Sequence, residues 1–261
     1  MNIGLKLWAT NKNYVPCVRD LYERGLFSYL ELYSVPDSYE HCIGYWRDID
    51  IPYTIHAPHY GSGLNLSNPA QQDSNRILLE ESKQYADALH ADYIIVHPGV
   101  SGQVDETIRQ FNLFKDGRFV VENKPYLGLL NNLICVGATP EQIDRIMTEC
   151  GIGFCLDIGH GICAANFVKA DWRMYIGRFI ALDPTMYHLT DGDINSVYDS
   201  HLHYGDGSYP IGDILDMIPS DKKITNESRK NSKENLDDFA ADVQILCKYY
   251  RANQAKLRKR K

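Results

Sequence analysis

Nine side chains of the kinds that hold metal ions recur along the chain: His59, His97, Glu122, Asp157, His160, His188, Asp199, His201 and Glu227. Five of them, His97, Glu122, Asp157, His188 and Glu227, each close a short β-prone run, and His59 follows the end of another by three residues. Two close pairs stand out, Asp157-x-x-His160 and Asp199-x-His201. Imidazole mixed with carboxylate suits zinc, manganese or iron, and the scarcity of thiolate pairs argues against an iron–sulfur site. Nine donors exceed what one ion takes. At about four or five bonds per ion, with a bridging carboxylate and bound solvent, they serve about three. Each residue alone has an ordinary explanation, as a satisfied core histidine or a helix-capping carboxylate. Random placement would scatter them over loops and helix surfaces, so their gathering at strand ends points to metal chemistry.

Such a set needs a fold that brings strand ends together. β-Rich runs extend over Asn2 to Trp8, Ser28 to Tyr33, Pro52 to His56, Asp92 to His97, Arg118 to Glu122, Gly153 to Asp157, Thr185 to His188 and Lys223 to Glu227. Helical patterns separate them. Pro16 to Tyr22 places Val18, Leu21 and Tyr22 on one face before Gly25 as a C-cap. Asn68-Pro69 suits an N-cap and first turn ahead of Leu78, Ser82, Tyr85 and Leu89. Leu236, Phe239, Ala240, Val243, Leu246, Cys247 and Tyr250 form one apolar stripe. The run ends lie 23 to 41 residues apart, room for one helix and its loops each time. Eight βα units in 261 residues predict a single closed (β/α)8 barrel, whose functional groups meet at the C-terminal mouth. An open doubly wound sheet would show a GxGxxG turn after its first strand, which is missing. The barrel domain is expected over residues 1–254, with 255–261 a short basic tail.

With 44% hydrophobic and 23% charged residues the chain can bury a large core. Seven cysteines, an odd number without CxxC spacing, read as reduced thiols. No run approaches a membrane span and no secretory signal opens the chain, so a cytoplasmic protein without a membrane partner is expected. The formal charge of −7 includes five positive charges at Lys256, Arg258, Lys259, Arg260 and Lys261, so without them the body carries −12. An acidic body does not favour binding to a polyanion.

The ordered segments PHYGSGLNL (58–66), VHPG (96–99), VVEN (120–123), CLDIGH (155–160), YHLTD (187–191), DSHLHYGDG (199–207) and NES (226–228) resemble the motif series of the endonuclease IV family, a branch of the xylose-isomerase-like TIM barrels. The resemblance implies that His59, His97 and Glu122 hold a first zinc. Glu122 then bridges to a second ion completed by Asp157, His188 and Glu227, and His160, Asp199 and His201 hold a third. Up to three Zn2+ per chain are expected, with Mn2+ or Mg2+ as alternatives. His56 and His203 fall on no ligand position of that family and stay outside the set.

Two departures matter. Where the family carries an aromatic–aliphatic pair that wedges into DNA, this chain has Ser62 and Gly63, and after the second strand YSVPDSYEH (33–41) replaces a basic, glutamine-rich loop. The expected activity is therefore metal-dependent phosphoester hydrolysis, on a small phosphoester or sugar phosphate in preference to duplex DNA. The alternative is a sugar or sugar-phosphate isomerase or epimerase with one ion held by Glu122, Asp157, His188 and Glu227; there Glu122 and Glu227 are the catalytic carboxylates that move protons beside a metal-polarised carbonyl. That alternative leaves His59, His97, His160, Asp199 and His201 without a joint role. A third option, a non-catalytic barrel used as a scaffold, would show broken ligand positions, and none is broken. Lys6, Lys124 and Arg229 are the expected substrate-binding cations, and Asp191, Asp193 and Asp206 the expected orienters of ligand imidazoles.

Overall fold

A computed structural model describes residues 1–259, with side chains to residue 252, so the charged groups of the expected tail at 255–261 lie outside the described residues. Eight parallel strands close into a barrel in sequence order: β1 (Asn2–Trp8), β2 (Tyr29–Tyr33), β3 (Tyr53–His56), β4 (Ile94–Val96), β5 (Phe119–Glu122), β6 (Gly153–Asp157), β7 (Met186–Leu189) and β8 (Lys223–Asn226). β1 completes the ring by pairing with β8, Leu5 opposite Asn226. Helices fill the intervals: α1 (Val15–Glu23), α2 (Tyr39–Arg47), α3 (Gln72–Ala88), α4 (Val104–Phe114), α5 (Pro140–Cys150), α6 (Ile158–Phe167), α7 (Trp172–Ile180), α8 (Ile211–Met217) and α9 (Asp237–Lys259). All eight expected strands are present. β4 and β8 stop one residue early, which puts His97 and Glu227 just past their strands, and the interval after β6 holds two helices.

Local signals act as the residue types dictate. Pro16 opens α1, and Gly25 follows it in the left-handed region (φ 70°) that ends the helix. Asn68 accepts a hydrogen bond from the Ala70 N–H across the short 3-10 turn that leads into α3. Strand alternation then separates two environments. Leu5, Leu30, Leu32, Ile55, Ile94, Val96, Val121, Phe154 and Leu156 join the buried layer shared with the helices. Tyr29, Ile95, Val120, Cys155 and Met186 form a second cluster on the opposite strand face, inside the barrel. A Cβ on Gly4 would lie 2.3 Å from the Tyr29 ring, so glycine here makes room for that plug, and the Tyr29 hydroxyl is 2.8 Å from Thr225 Oγ1. All seven cysteines are free thiols.

Candidate metal centre

Two residues beyond each member of the apolar plug, on the same strand face, stands an ionisable side chain: Glu31 after Tyr29, His97 after Ile95, Glu122 after Val120, Asp157 after Cys155 and His188 after Met186. The remaining strands follow the same step, with Lys6 after Gly4, His56 after Thr54 and Glu227 after Thr225. The barrel interior is thus closed below by apolar side chains and carries one ionisable group per strand above them. Glu31, His56, Glu122, Asp157 and His188 are exposed by 5% or less, and His97, at 8%, is nearly as deep.

Glu122 is the hub. Its Oε2 lies 3.1 Å from His56 Nε2 and 3.0 Å from His97 Nε2, and its Oε1 lies 3.0 Å from His160 Nδ1 and 3.6 Å from Lys124 Nζ. His188 spans the other side, with Nε2 2.9 Å from Glu31 Oε2 and Nδ1 2.7 Å from Glu227 Oε1. Lys6 pairs with both Glu31, at 3.1 Å, and Glu227.

The loops supply the rest. Asp157 ends β6 and caps α6, its Oδ1 accepting the His160 N–H at 2.6 Å, which fixes His160 in the first helical turn beside the cluster. Asp191 and Leu202 exchange two backbone hydrogen bonds at 3.0 Å and so return the loop after β7 to the mouth, where His201 Nε2 meets Asp199 Oδ2 at 2.6 Å. Instead of touching an imidazole, the Asp191 carboxylate accepts backbone N–H groups from Gly192, Gly205 and Tyr209. Asp193 bonds the Asn195 N–H. The expected role of these aspartates as orienters of ligand imidazoles is corrected for Asp191 and Asp193, which shape their loop.

Four groups offer ligand atoms within 4.8 Å of one another: Glu31, His56, His188 and Glu227; His56, His97 and Glu122; Glu122, Asp157 and His188; and His160, Asp199 and His201. Eight of the nine expected ligands therefore converge. His59 lines the same cavity but joins none of these groups; its ring stacks 6.4 Å from His97. His56, which falls on no ligand position of the resembled family, sits in the cluster, and so does Glu31, which lies inside a strand run rather than at its end and escapes sequence reasoning. The two-residue inward step along each strand, from Tyr29 to Glu31 and from Thr54 to His56, is the signal that finds both. His203 stays outside, 2.9 Å from Asp242.

Whether ions suit this set is tested by its unpaired atoms. His97 Nδ1, His188 Nδ1, His201 Nδ1, Asp199 Oδ2 and Glu31 Oε1 are buried without a well-formed hydrogen bond, the last four lying within 4 Å of an oppositely charged partner, Glu227 for the two imidazole nitrogens, His201 for Asp199 and Lys6 for Glu31. Buried polar atoms left so are costly, and cations relieve both the orphaned lone pairs and the carboxylate crowding. Burial opposes charge on Glu122 and Glu227, yet His97 and Lys124 around the first, and His188 and Lys6 around the second, hold both well below the usual carboxylate range. Asp157 is pushed up to about 6 by burial and by the neighbouring Asp199, Glu122 and Glu227 charges, against the pull of His160. Burial, then Lys124, lowers His59 to about 4, leaving a neutral imidazole at pH 7. His201 goes the other way: burial works against its charge, but Asp199 outweighs it and raises it to about 9.

The cluster floors an open cavity of about 760 Å³. Trp8, Tyr33, Tyr60, Leu129 and Leu130 form an apolar wall, and Arg229, Lys230 and Lys233, from the segment after β8, a basic one. Of the expected substrate-binding cations, Arg229 is exposed at this rim, whereas Lys6 and Lys124 are committed to carboxylates and imidazoles in the floor.

Residues 35–249 match the model of a family described as xylose isomerase-like TIM barrel. A probable endonuclease 4 of Thermoplasma volcanium is 28% identical over 182 residues, 65% of this chain; the match spans 63% of that relative's own length. Among solved structures, endonuclease IV from Thermus thermophilus superposes with a TM-score of 0.72 at 18% identity, covering 97% of this chain and 100% of the other. A D-tagatose 3-epimerase-like protein superposes with a TM-score of 0.70 at 18% identity, covering 98% and 100%. At such identities the superpositions establish the shared barrel. No helix among the described residues is long and apolar enough to cross a membrane.

Proposed function

The chain belongs to the xylose isomerase-like TIM barrel family, and on that premise we propose that it is a metal-dependent phosphoester hydrolase of the endonuclease IV-like type. Its substrate is a small phosphoester or sugar phosphate in preference to duplex DNA, and zinc, or else manganese or magnesium, is its metal. The observation that carries this reading is the group His160, Asp199 and His201, which lies beyond the four ligands Glu122, Asp157, His188 and Glu227 that a single-ion isomerase would use. The similarity to a probable endonuclease 4 supports the same branch.

Divalent ions held by these groups would supply water of lowered pKa and neutralise phosphate oxygens. Glu122, shared by two ligand groups, holds His56, His97 and His160 in register around the cluster. Glu227, fixed by Lys6 and His188, is the second carboxylate facing the reacting group. Arg229 at the rim meets the anion as it enters, and the neutral His59 sits beside its path. The position expected for a DNA wedge supports a smaller substrate. Ser62 is tied to Tyr33 by a 2.8 Å hydrogen bond and Gly63 carries no side chain, so nothing there can fill a gap in a base stack.

The isomerase or epimerase reading is favoured by one feature, the approach of Glu122 (3.5 Å) and Glu227 (2.7 Å) to the same His188 nitrogen, since paired carboxylates can pass a proton between adjacent carbons. The deciding assay offers zinc- or manganese-loaded protein bis(4-nitrophenyl) phosphate, a panel of ketose phosphates, and abasic duplex DNA. Chelator-sensitive phosphoester cleavage, with weak DNA binding that falls steeply with salt and with deletion of Lys256 to Lys261, is expected. Sugar interconversion without phosphoester cleavage would replace the proposal, and tight, tail-independent incision at abasic sites would overturn its substrate.

A further inference from the structure

The walls above the metal centre differ in chemistry. On the side of β1 to β3 the rings of Trp8, Tyr33, His59 and Tyr60 follow one another, with centroids 5.4, 5.5 and 6.2 Å apart. The row continues into the loop after β5, because the Tyr60 hydroxyl accepts the Leu130 N–H at 3.1 Å. That loop is a hairpin: the Gly128 N–H donates to Leu133 O at 2.8 Å, Leu127 bridges Ile134, and Asn131 and Asn132 turn the chain with φ of 57° and 51°. Leu129 and Leu130 precede the turn, 63% and 55% exposed, and Trp8 at the other end of the row is 52% exposed, yet all three line the cavity. We propose that this row is a subsite for an aromatic ring, so that the substrate is a phosphoester carrying such a ring rather than a sugar phosphate. The inference rests on the phosphoester reading of the metal centre and narrows its substrate.

Three large apolar side chains left in water at one mouth forgo burial that an entering ring would restore. Aromatic groups pack on one another with centroids about 4.5–7 Å apart, and the half-exposed indole of Trp8 has a face free for that contact. The row is set before anything binds. The Tyr33 hydroxyl donates to Ser62 Oγ at 2.8 Å and accepts the His59 N–H at 3.1 Å, and the Tyr198 hydroxyl donates to Asn132 Oδ1 at 3.0 Å, tying the hairpin turn to the loop after β7. Side chains already held in place lose little freedom when a ligand arrives. A sugar would bring hydroxyl groups against leucines and ring faces that give them no partner. The charged end of the substrate is served elsewhere, by the ligand groups of the floor and by Arg229, Lys230 and Lys233 from the segment after β8. Phosphate on the floor with the ring against the row is the orientation that satisfies both.

The test compares non-hydrolysable probes that share one charged head. Phenylphosphonate, cyclohexylphosphonate and methylphosphonate are titrated by calorimetry into zinc-loaded wild-type protein and into Trp8→Ala and Leu130→Ala, with circular dichroism to verify folding. Phenylphosphonate is expected to bind the wild type about tenfold more tightly than methylphosphonate, and more tightly than cyclohexylphosphonate, with the phenyl-to-methyl ratio falling toward one in both variants. Equal affinity of the wild type for the phenyl and methyl compounds would overturn the subsite and leave the phosphoester reading intact. Equal affinity for the phenyl and cyclohexyl compounds would overturn its selection of an aromatic ring, and an unchanged ratio in both folded variants would overturn its assignment to this row. Ring-dependent binding in protein that cleaves no phosphoester would leave the subsite standing while removing the proposed hydrolysis, and binding of none of the three would overturn both.

Discussion

Stripping the ions should destabilise the protein strongly, because the carboxylates they hold apart are buried around one point. Without ions, the five floor carboxylates of Glu31, Glu122, Asp157, Asp199 and Glu227 share two ammonium groups, those of Lys6 and Lys124, and the imidazoles around them, and the buried His97 Nδ1 has no hydrogen-bond partner. Ligands that bind only the folded state stabilise it by about 2.7 kcal/mol when free ligand stands at a hundredfold excess over Kd. Two such ions would therefore contribute about 5 kcal/mol under those conditions. For a chain of this size about 1 kcal/mol moves Tm by roughly 2–4 °C, so chelation should lower it by roughly 10–20 °C. The assay is differential scanning fluorimetry of loaded, chelated and zinc-restored protein, with elemental analysis of the same samples. An unchanged Tm in protein shown to have lost its metal would refute the reasoning, since the unpaired atoms would then be satisfied some other way.

Glu122→Gln should cost more than His201→Ala. Glu122 is 1% exposed and faces three imidazoles and Lys124, so removing its charge breaks buried pairs worth about 3–5 kcal/mol, whereas the His201 side chain is 31% exposed and serves one ligand group, for a loss of about 1 kcal/mol. Equal metal content and equal Tm in the two variants would count against Glu122 as the shared ligand. In metal-free protein His201 is raised to about 9, so its contribution is complete below the unfolded value near 6.5 and is lost as pH rises through 9. Thermal melts of apo protein should therefore show Tm falling between pH 6.5 and 9, with a shallower slope in His201→Ala. In zinc-loaded protein the slope should reverse at its acid end, where protons compete with ions for imidazole.

The strands and the mouth were legible because each depends on local pattern: β-prone runs, a helix between each pair, and a ligand-type residue at the end of five runs. The order Asp157, His160 was equally local, since one carboxylate both ends β6 and caps α6. Three decisions needed the closed barrel. Glu31 lies in the middle of a strand run, and only the inward register that pairs Lys6 with Glu31 brings it to His188. The sequence position of His56 matches no family ligand, yet the ring places β3 where its imidazole reaches Glu122 from two strands away. Lys6 and Lys124 read as free cations awaiting a substrate. A linear sequence gives a side chain's charge but not the groups that face it from distant positions, such as His97, 27 residues from Lys124, or Glu227, 221 residues from Lys6. Those partners determine whether an ammonium is free to meet a phosphate or is held by the carboxylates and imidazoles of the cavity floor.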